Sequence, residues 1–295
     1  MERKTAHDFD QDLLILFDAY VHGALDRRGF LEQASKYAVG GVTAAMLLDQ
    51  LSPKFAEAQV VRTDDERIKA EYIEYASPNG YGKMRGYFVR PAKAAGKLPG
   101  ILVIHENRGL NPHIEDVARR FALENFVAFA PDALFPLGGY PGNEDKAREL
   151  FPKLEQPKTR EDFVAAFGFL KARPESTGKV GAVGFCYGGG MVNYLATRLD
   201  DLAAGVPFYG SAANVADVPK IKAPLMIQSA EVDERINASW PAFEQALKAA
   251  NVRYERFLYP GTQHGFHNDT TPRYNEAAAK LAWQRTIAFF NKNVR

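Results

Sequence analysis

From residue 66 onward the chain alternates short apolar runs with longer amphipathic stretches. IKAEYIEYAS and KMRGYFVRPA have strand character, and Pro78-Asn79-Gly80 turns the chain between them. LPGILVIHE and FVAFAPDAL are compact apolar runs of the kind a buried strand shows. KVGAVGFC, LAAGVPFYG, PLMIQSAEVD and YERFLYPG read as four further strands. Helical spacing marks PHIEDVARRFALEN, where Ile114, Val117 and Phe121 share one side and Asn111-Pro112 supplies the cap and first turn. It also marks residues 143–154 and 158–173, YGGGMVNYLATRL, INASWPAFEQALKAAN and residues 275–293. Strands alternating with helices of this length predict right-handed crossovers and a mostly parallel sheet, an α/β fold. The first two strands, joined by a short turn, are expected to pair antiparallel at one edge. No internal repeat or low-complexity tract interrupts residues 66–295.

Residues 1–58 follow another pattern. Leu13, Leu16, Phe17, Tyr20, Val21 and Leu25 fall at helical spacing, with Asp12 and Asp18 on the other side. Arg27-Arg28-Gly29-Phe30-Leu31 then resembles a twin-arginine export motif. A mildly apolar stretch at 38–48 follows, and then Ala56-Glu57-Ala58, which has the form of a cleavage site. Against export, six acidic residues precede the arginine pair and only Arg3 and Lys4 oppose them, whereas an export leader begins basic. Two readings stand: a helical arm packed on the domain, with a cytoplasmic protein, or a signal segment, with a periplasmic one. Residues 59–65 are the expected linker.

Composition narrows the function. With 46% hydrophobic and 25% charged residues the chain is an ordinary globular one. A net charge of +1 gives no field for nucleic acid or an anionic membrane. No run of about 18 apolar residues exists to span a membrane. A single cysteine makes no internal disulfide and no thiolate cluster, and no H-E-x-x-H occurs, so neither a metal nor another cofactor is expected.

That one cysteine sits in GAVGFCYGGG, residues 181–190, where a strand gives way to a helix. A residue on so sharp a turn adopts a strained backbone, and small neighbours are needed around it. Gly184, Gly188 and Gly189 supply the room. The pattern is that of a nucleophile elbow, G-x-S-x-G, with Cys186 in place of serine. The bland reading is a small buried thiol in a glycine-rich turn. A thiol nucleophile needs a base, and the base an orienting acceptor. Asp233 follows one expected strand and His264 follows the last, in the chain order nucleophile, acid, histidine. Both would then share the sheet edge where open α/β proteins bind ligands. Asp233 also suits a helix cap, with Glu231 as the other acid, and His267, His105 and His113 are competing histidines.

GFCYGGG, AEVDERI and YPGTQHGF together resemble the dienelactone hydrolase family, cysteine-dependent α/β hydrolases, from about residue 66 to the end; the N-terminal extension resembles that of its longer members. The resemblance implies an α/β-hydrolase fold and a catalytic set of Cys186, Asp233 and His264. It adds Glu106, after the third strand, as the group contacting the resting thiol. Backbone N–H groups of Tyr187 and Asn107 would form the oxyanion hole. It implies cleavage of an ester or lactone through a thioacyl-enzyme, with a small-molecule substrate and a homodimer left open. Family members that cleave dienelactones hold the substrate carboxylate with arginines, one of them four residues past the histidine. Asn268 occupies that position here. Arg148 is a candidate for a second arginine position, Arg108 and Arg273 could substitute, and Tyr140 and Phe266 are further candidates for the substrate pocket; the resemblance thus supports the catalytic set more than a dienelactone substrate. The stretch ALFPLGGYPGNEDKAREL is the expected lid. A broad carboxylesterase or thioesterase is the alternative, and a redox-sensing or binding protein the non-enzymatic one.

Overall fold

The computed structural model describes residues 4–295. Eight strands form one sheet: β1 (Ile68–Ser77), β2 (Gly82–Pro91), β3 (Leu98–Ile104), β4 (Val127–Pro131), β5 (Ser176–Phe185), β6 (Ala204–Phe208), β7 (Leu225–Val232) and β8 (Tyr254–Gln263). Their order is β1-β2-β4-β3-β5-β6-β7-β8. β1 pairs antiparallel with β2, and β2 antiparallel with β4. All later pairings are parallel. The parallel strands are buried on both faces, which is why β3, β4 and β6 read as unbroken apolar runs.

Before the sheet lie α1 (Gln11–Val21), α2 (Arg27–Ala34), α3 (Ala44–Leu51) and α4 (Phe55–Ala58). Within and after it come α5 (Pro112–Leu123), α6 (Glu144–Leu150), α7 (Gln156–Ala172), α8 (Tyr187–Arg198), α9 (Glu234–Asn237), α10 (Trp240–Ala249) and α11 (Glu276–Asn293). α5 and α11 cover one face of the sheet, where Ile114, Val117, Phe121, Ala282 and Phe290 join the core. α7, α8 and α10 cover the other through Phe163, Phe167, Val192, Leu195 and Leu247. Asn111 caps α5 by accepting from Ile114 N, with Pro112 in the first turn.

One expectation needs correction. INASWPAFEQALKAAN forms two helices rather than one, because Pro241 stands in the first turn of α10 and has no N–H to continue a helix from α9. Within the expected linker, residues 59–65, the chain is tied to α5 at Val60 and Val61. The N–H groups of Val60 and Val61 donate to the Asp116 carboxylate at 3.1 and 2.8 Å, and Arg119 Nε donates to the Val61 carbonyl at 2.8 Å.

The N-terminal helices make a core of their own. Leu13, Leu14, Phe17, Tyr20, Phe30 and Leu48 are among its buried members. This arm lies across the C-terminal ends of the parallel strands. Its ties to the domain are mainly polar: Arg27 to Asp145 at 2.6 Å, Arg273 to Asp18 at 3.0 Å, and Lys54 N to the Thr270 carbonyl at 2.8 Å. Arg27 and Arg28 open α2, and Asp26 caps it by accepting from Gly29 N at 2.7 Å. No helix among the described residues is long and apolar enough to cross a membrane.

Candidate active site

Cys186 stands alone between β5 and α8 with φ 54° and ψ −111°. This is a conformation costing roughly 1–3 kcal/mol for a residue with a side chain. The neighbouring glycines are obligatory. A Cβ on Gly184 would lie 2.1 Å from the Gly188 carbonyl oxygen, and one on Gly188 would lie 2.2 Å from that of Ile104. Only bare backbones let strand, turn and helix close so tightly. Cys186 N donates to the Phe208 carbonyl at 3.1 Å, which anchors the turn to β6.

Asp233 follows β7 and serves two purposes. One oxygen accepts from Ile236 N at 3.4 Å and caps α9; the other meets His264 Nδ1 at 2.6 Å. Both residues are buried. With Nδ1 so engaged, Nε2 is the ring nitrogen left for other chemistry. It is buried and lies on the side of Cys186. Cys186 and His264 place their ligating atoms within 4.8 Å of each other. The competing groups lie elsewhere. Glu231 accepts from Gly261 N at 2.8 Å. His105 accepts from Ala133 N through Nε2 at 3.1 Å, and burial holds its pKa down at about 4. His267 is stacked on Phe185, with burial lowering its pKa to about 3. His113 lies 3.2 Å from Asp269.

The arm adds a second imidazole. His22, just past α1, sets Nε2 3.3 Å from Cys186 Sγ. Its Nδ1 is 2.8 Å from the Asp18 carbonyl oxygen and 3.2 Å from the Asp18 carboxylate. Asp18 in turn accepts from Arg273. Arg235 Nη2 lies 3.1 Å from His22 Nε2. The thiol thus sits between two histidines, each backed by an aspartate. Burial alone would push the thiol pKa up, but the two imidazoles outweigh it and hold it well below the usual thiol range. His264 moves the opposite way: burial lowers it, and the thiolate and Asp233 raise it further than burial takes away.

The remaining expected residues divide into two groups. Glu106, Asn107, Arg108, Asn268 and Arg273 line the cavity beside Cys186, together with Phe17, Tyr20, Val21 and His22 of the arm. Glu106 shares the cavity with Cys186, and its carboxylate accepts from Asn268 Nδ2 at 2.9 Å. Asn107 Nδ2 and Arg108 Nη2 both donate to the Val21 carbonyl, at 3.0 and 2.9 Å. Tyr187 opens α8, and its hydroxyl turns away to Gln156 at 3.1 Å. Tyr140, Arg148 and Phe266 do not line the cavity. Tyr140 donates to Glu144 at 2.9 Å, Arg148 stacks on the Tyr20 ring at 4.6 Å, and Phe266 is fully buried between Tyr209 and Tyr259. The cavity measures about 40 Å³. That admits a few waters at most, since one water needs roughly 10–15 Å³ by the same measure. Beyond α1 an open groove of about 810 Å³ reaches His264 and Arg273 from outside.

A mostly parallel sheet with this strand order, crossed at its carboxyl edge by a strand–turn–helix elbow, defines the α/β-hydrolase fold. Within that class the chain belongs to the dienelactone hydrolase family, whose model matches residues 84–294. A second model, described as YqhI-like, matches residues 1–39. A curated relative named "Putative hydrolase fragment YghX", from Escherichia coli (strain K12), is 59% identical over 39% of this chain and 97% of its own length. Another, a "Putative carboxymethylenebutenolidase" of Synechocystis sp., is 33% identical over 74% of this chain and 95% of its own. The crystal structure of a "Putative Dienelactone Hydrolase" from Klebsiella pneumoniae superposes with a TM-score of 0.67 at 27% identity. It covers 76% of this chain and 99% of its own. The protein is accordingly a hydrolase of the kind that acts on esters or lactones.

Sequence reasoning missed His22 and its partner Asp18. Their spacing of four residues, which puts both on one helix face, was the available signal. Nothing local pointed that face at a cysteine 164 positions away.

Proposed function

We propose that this chain hydrolyses an ester or lactone through a thioacyl-enzyme on Cys186, with His264 as acid and base and Asp233 as its orienting partner. The observation that carries the reading is the buried 2.6 Å contact between His264 Nδ1 and Asp233, on loops next to an elbow cysteine. Cys186 Sγ attacks the carbonyl carbon. The oxyanion is received by the backbone N–H groups of Tyr187 and Asn107. The leaving oxygen takes the proton from the His264 imidazolium. Neutral His264 then draws a proton from water as it attacks the thioester, and the acid leaves with the thiolate regenerated. Thiolates leave more readily than alkoxides, so simple amides are poor substrates and enol esters good ones.

The closed cavity shapes the substrate. Few waters fit beneath the arm, so a substrate enters only as α1 lifts from the site. Arg108 and Arg273, which line the cavity, are occupied in the closed state by a carbonyl and a carboxylate of the arm. A substrate carboxylate offers those arginines the same kind of acceptor. This supports an anionic ester or lactone, even though Asn268 holds the position where family members place an arginine.

Cys186→Ala is expected to lower hydrolysis of an activated ester by on the order of 10³-fold or more, with folding retained on circular dichroism. Turnover at the wild-type rate in that variant would remove the thiol from the reaction. Arg273→Ala is expected to lower the ratio of kcat/KM for a carboxylate-bearing ester to that for a neutral ester of similar size by about 10-fold or more, since loss of the Asp18 tie loosens the arm for both esters alike. A charged hydrogen bond of roughly 1.5–3 kcal/mol corresponds to such a loss.

A further inference from the structure

His22, Cys186 and His264 bring three ligating atoms within 4.8 Å of one another, two of the residues from the domain and one from the arm. A tetrahedral zinc ion with a Zn–S bond of about 2.3 Å and a Zn–N bond of about 2.05 Å requires S···N separations of about 3.6 Å. The observed 3.3 Å between His22 Nε2 and Cys186 Sγ is close to that separation. His264 is buried, and its Nε2 lies beside the thiol. Each imidazole is held at Nδ1 by an aspartate, Asp18 for His22 and Asp233 for His264. Carboxylates behind metal-bound histidines fix the tautomer that presents Nε2 to the ion and raise its basicity. A nitrogen–nitrogen–sulfur donor set suits a borderline-soft divalent ion and not magnesium or calcium.

We infer that His22, Cys186 and His264 form a site for a divalent ion of the zinc class, which on binding blocks the thiol and fastens the arm to the domain. The fourth position faces the cavity and takes water. Arg235 Nη2 lies beside His22 Nε2 in the closed state; with its side chain half exposed, it moves out to solvent when the ion arrives. Three ligand–metal bonds form. The protons that His22 and His264 hold on Nε2 against the thiolate leave to solvent, and nothing is oxidised or reduced. The inference stands on the cluster's geometry and uses the same cysteine as the proposed hydrolysis. Its test therefore reads metal binding directly.

The experiment titrates Zn²⁺ into the full-length, metal-stripped protein by calorimetry, and Co²⁺ into a parallel sample by absorption spectroscopy. The expected result is one ion per chain, with a thiolate-to-cobalt charge-transfer band. Cys186→Ser should abolish the band, and both Cys186→Ser and His22→Ala should weaken Zn²⁺ affinity by about 100-fold or more. Asp18→Asn, which leaves all three ligands in place, should weaken it by about 10- to 100-fold. Zn²⁺ affinity in Cys186→Ser equal to wild type would overturn the inference, because the ion would then sit elsewhere. A cobalt thiolate band with affinity unchanged in both His22→Ala and Asp18→Asn would overturn the arm's part in it. Failure of ester hydrolysis in the wild-type protein would end the catalytic reading and leave these titrations as they are.

Discussion

Cys186 lies between two imidazoles, and its chemistry depends on both. An ordinary thiol is mostly protonated at neutral pH, with a pKa of about 8.5. Here the imidazoles favour the thiolate, so its charge persists as the pH falls below that range. Alkylation by iodoacetamide in the presence of a chelator is therefore expected to keep a flat rate from about pH 8.5 down to neutrality, falling only on the acid side. A rate that halves near pH 8.5 would show an unperturbed thiol. His22→Ala removes one of the two stabilising rings and should move the fall upward. At the turn itself, Gly188→Ala forces a methyl onto the Ile104 carbonyl. Its cost is expected to exceed about 4 kcal/mol, at the exceptional end for a single substitution, measured by denaturant unfolding. Cys186, Asp233 and His264 were legible in the sequence because each follows a strand, and strand ends of a parallel sheet share an edge. The partner of Glu106 was not legible. Asn268 reaches it across 162 positions, and no pattern in the chain announces that distance.

At the scale of elements, the sheet was legible because strands buried on both faces must be apolar throughout. The break between α9 and α10 was readable in hindsight from Pro241, a residue that starts helices more comfortably than it continues them. The arm's helices were harder. α2 opens on the Arg27-Arg28 pair, and Asp26, just before it, is its cap. Asp26→Ala should cost about 1 kcal/mol, the usual value of an N-cap. The loss falls on α2, whose Phe30 packs against Tyr20 of α1. Cys186 should therefore be alkylated several-fold faster in this variant at fixed pH, while the unfolding of the hydrolase domain itself changes little.

The whole molecule consists of a domain with two cores, one on each face of the sheet, and an arm with a third. Polar bonds join arm to domain, and such contacts open at lower cost than a shared apolar interface. Amide hydrogen exchange should show α1, α2 and α3 exchanging as one unit, well before β3 and β5. Protection of the arm equal to that of the central strands would mean a single cooperative structure. The docking of Val60 and Val61 on Asp116 then takes on a further meaning. It fixes the near end of the arm, so His22 and Asp18 never leave the neighbourhood of the site even when α1 lifts away. A segment held this way competes with substrate at a local concentration on the order of millimolar, whatever the amount of protein in solution. Dilution cannot relieve that competition. Only a substrate supplied at comparable levels, or bound far more tightly than the arm, keeps the thiol uncovered.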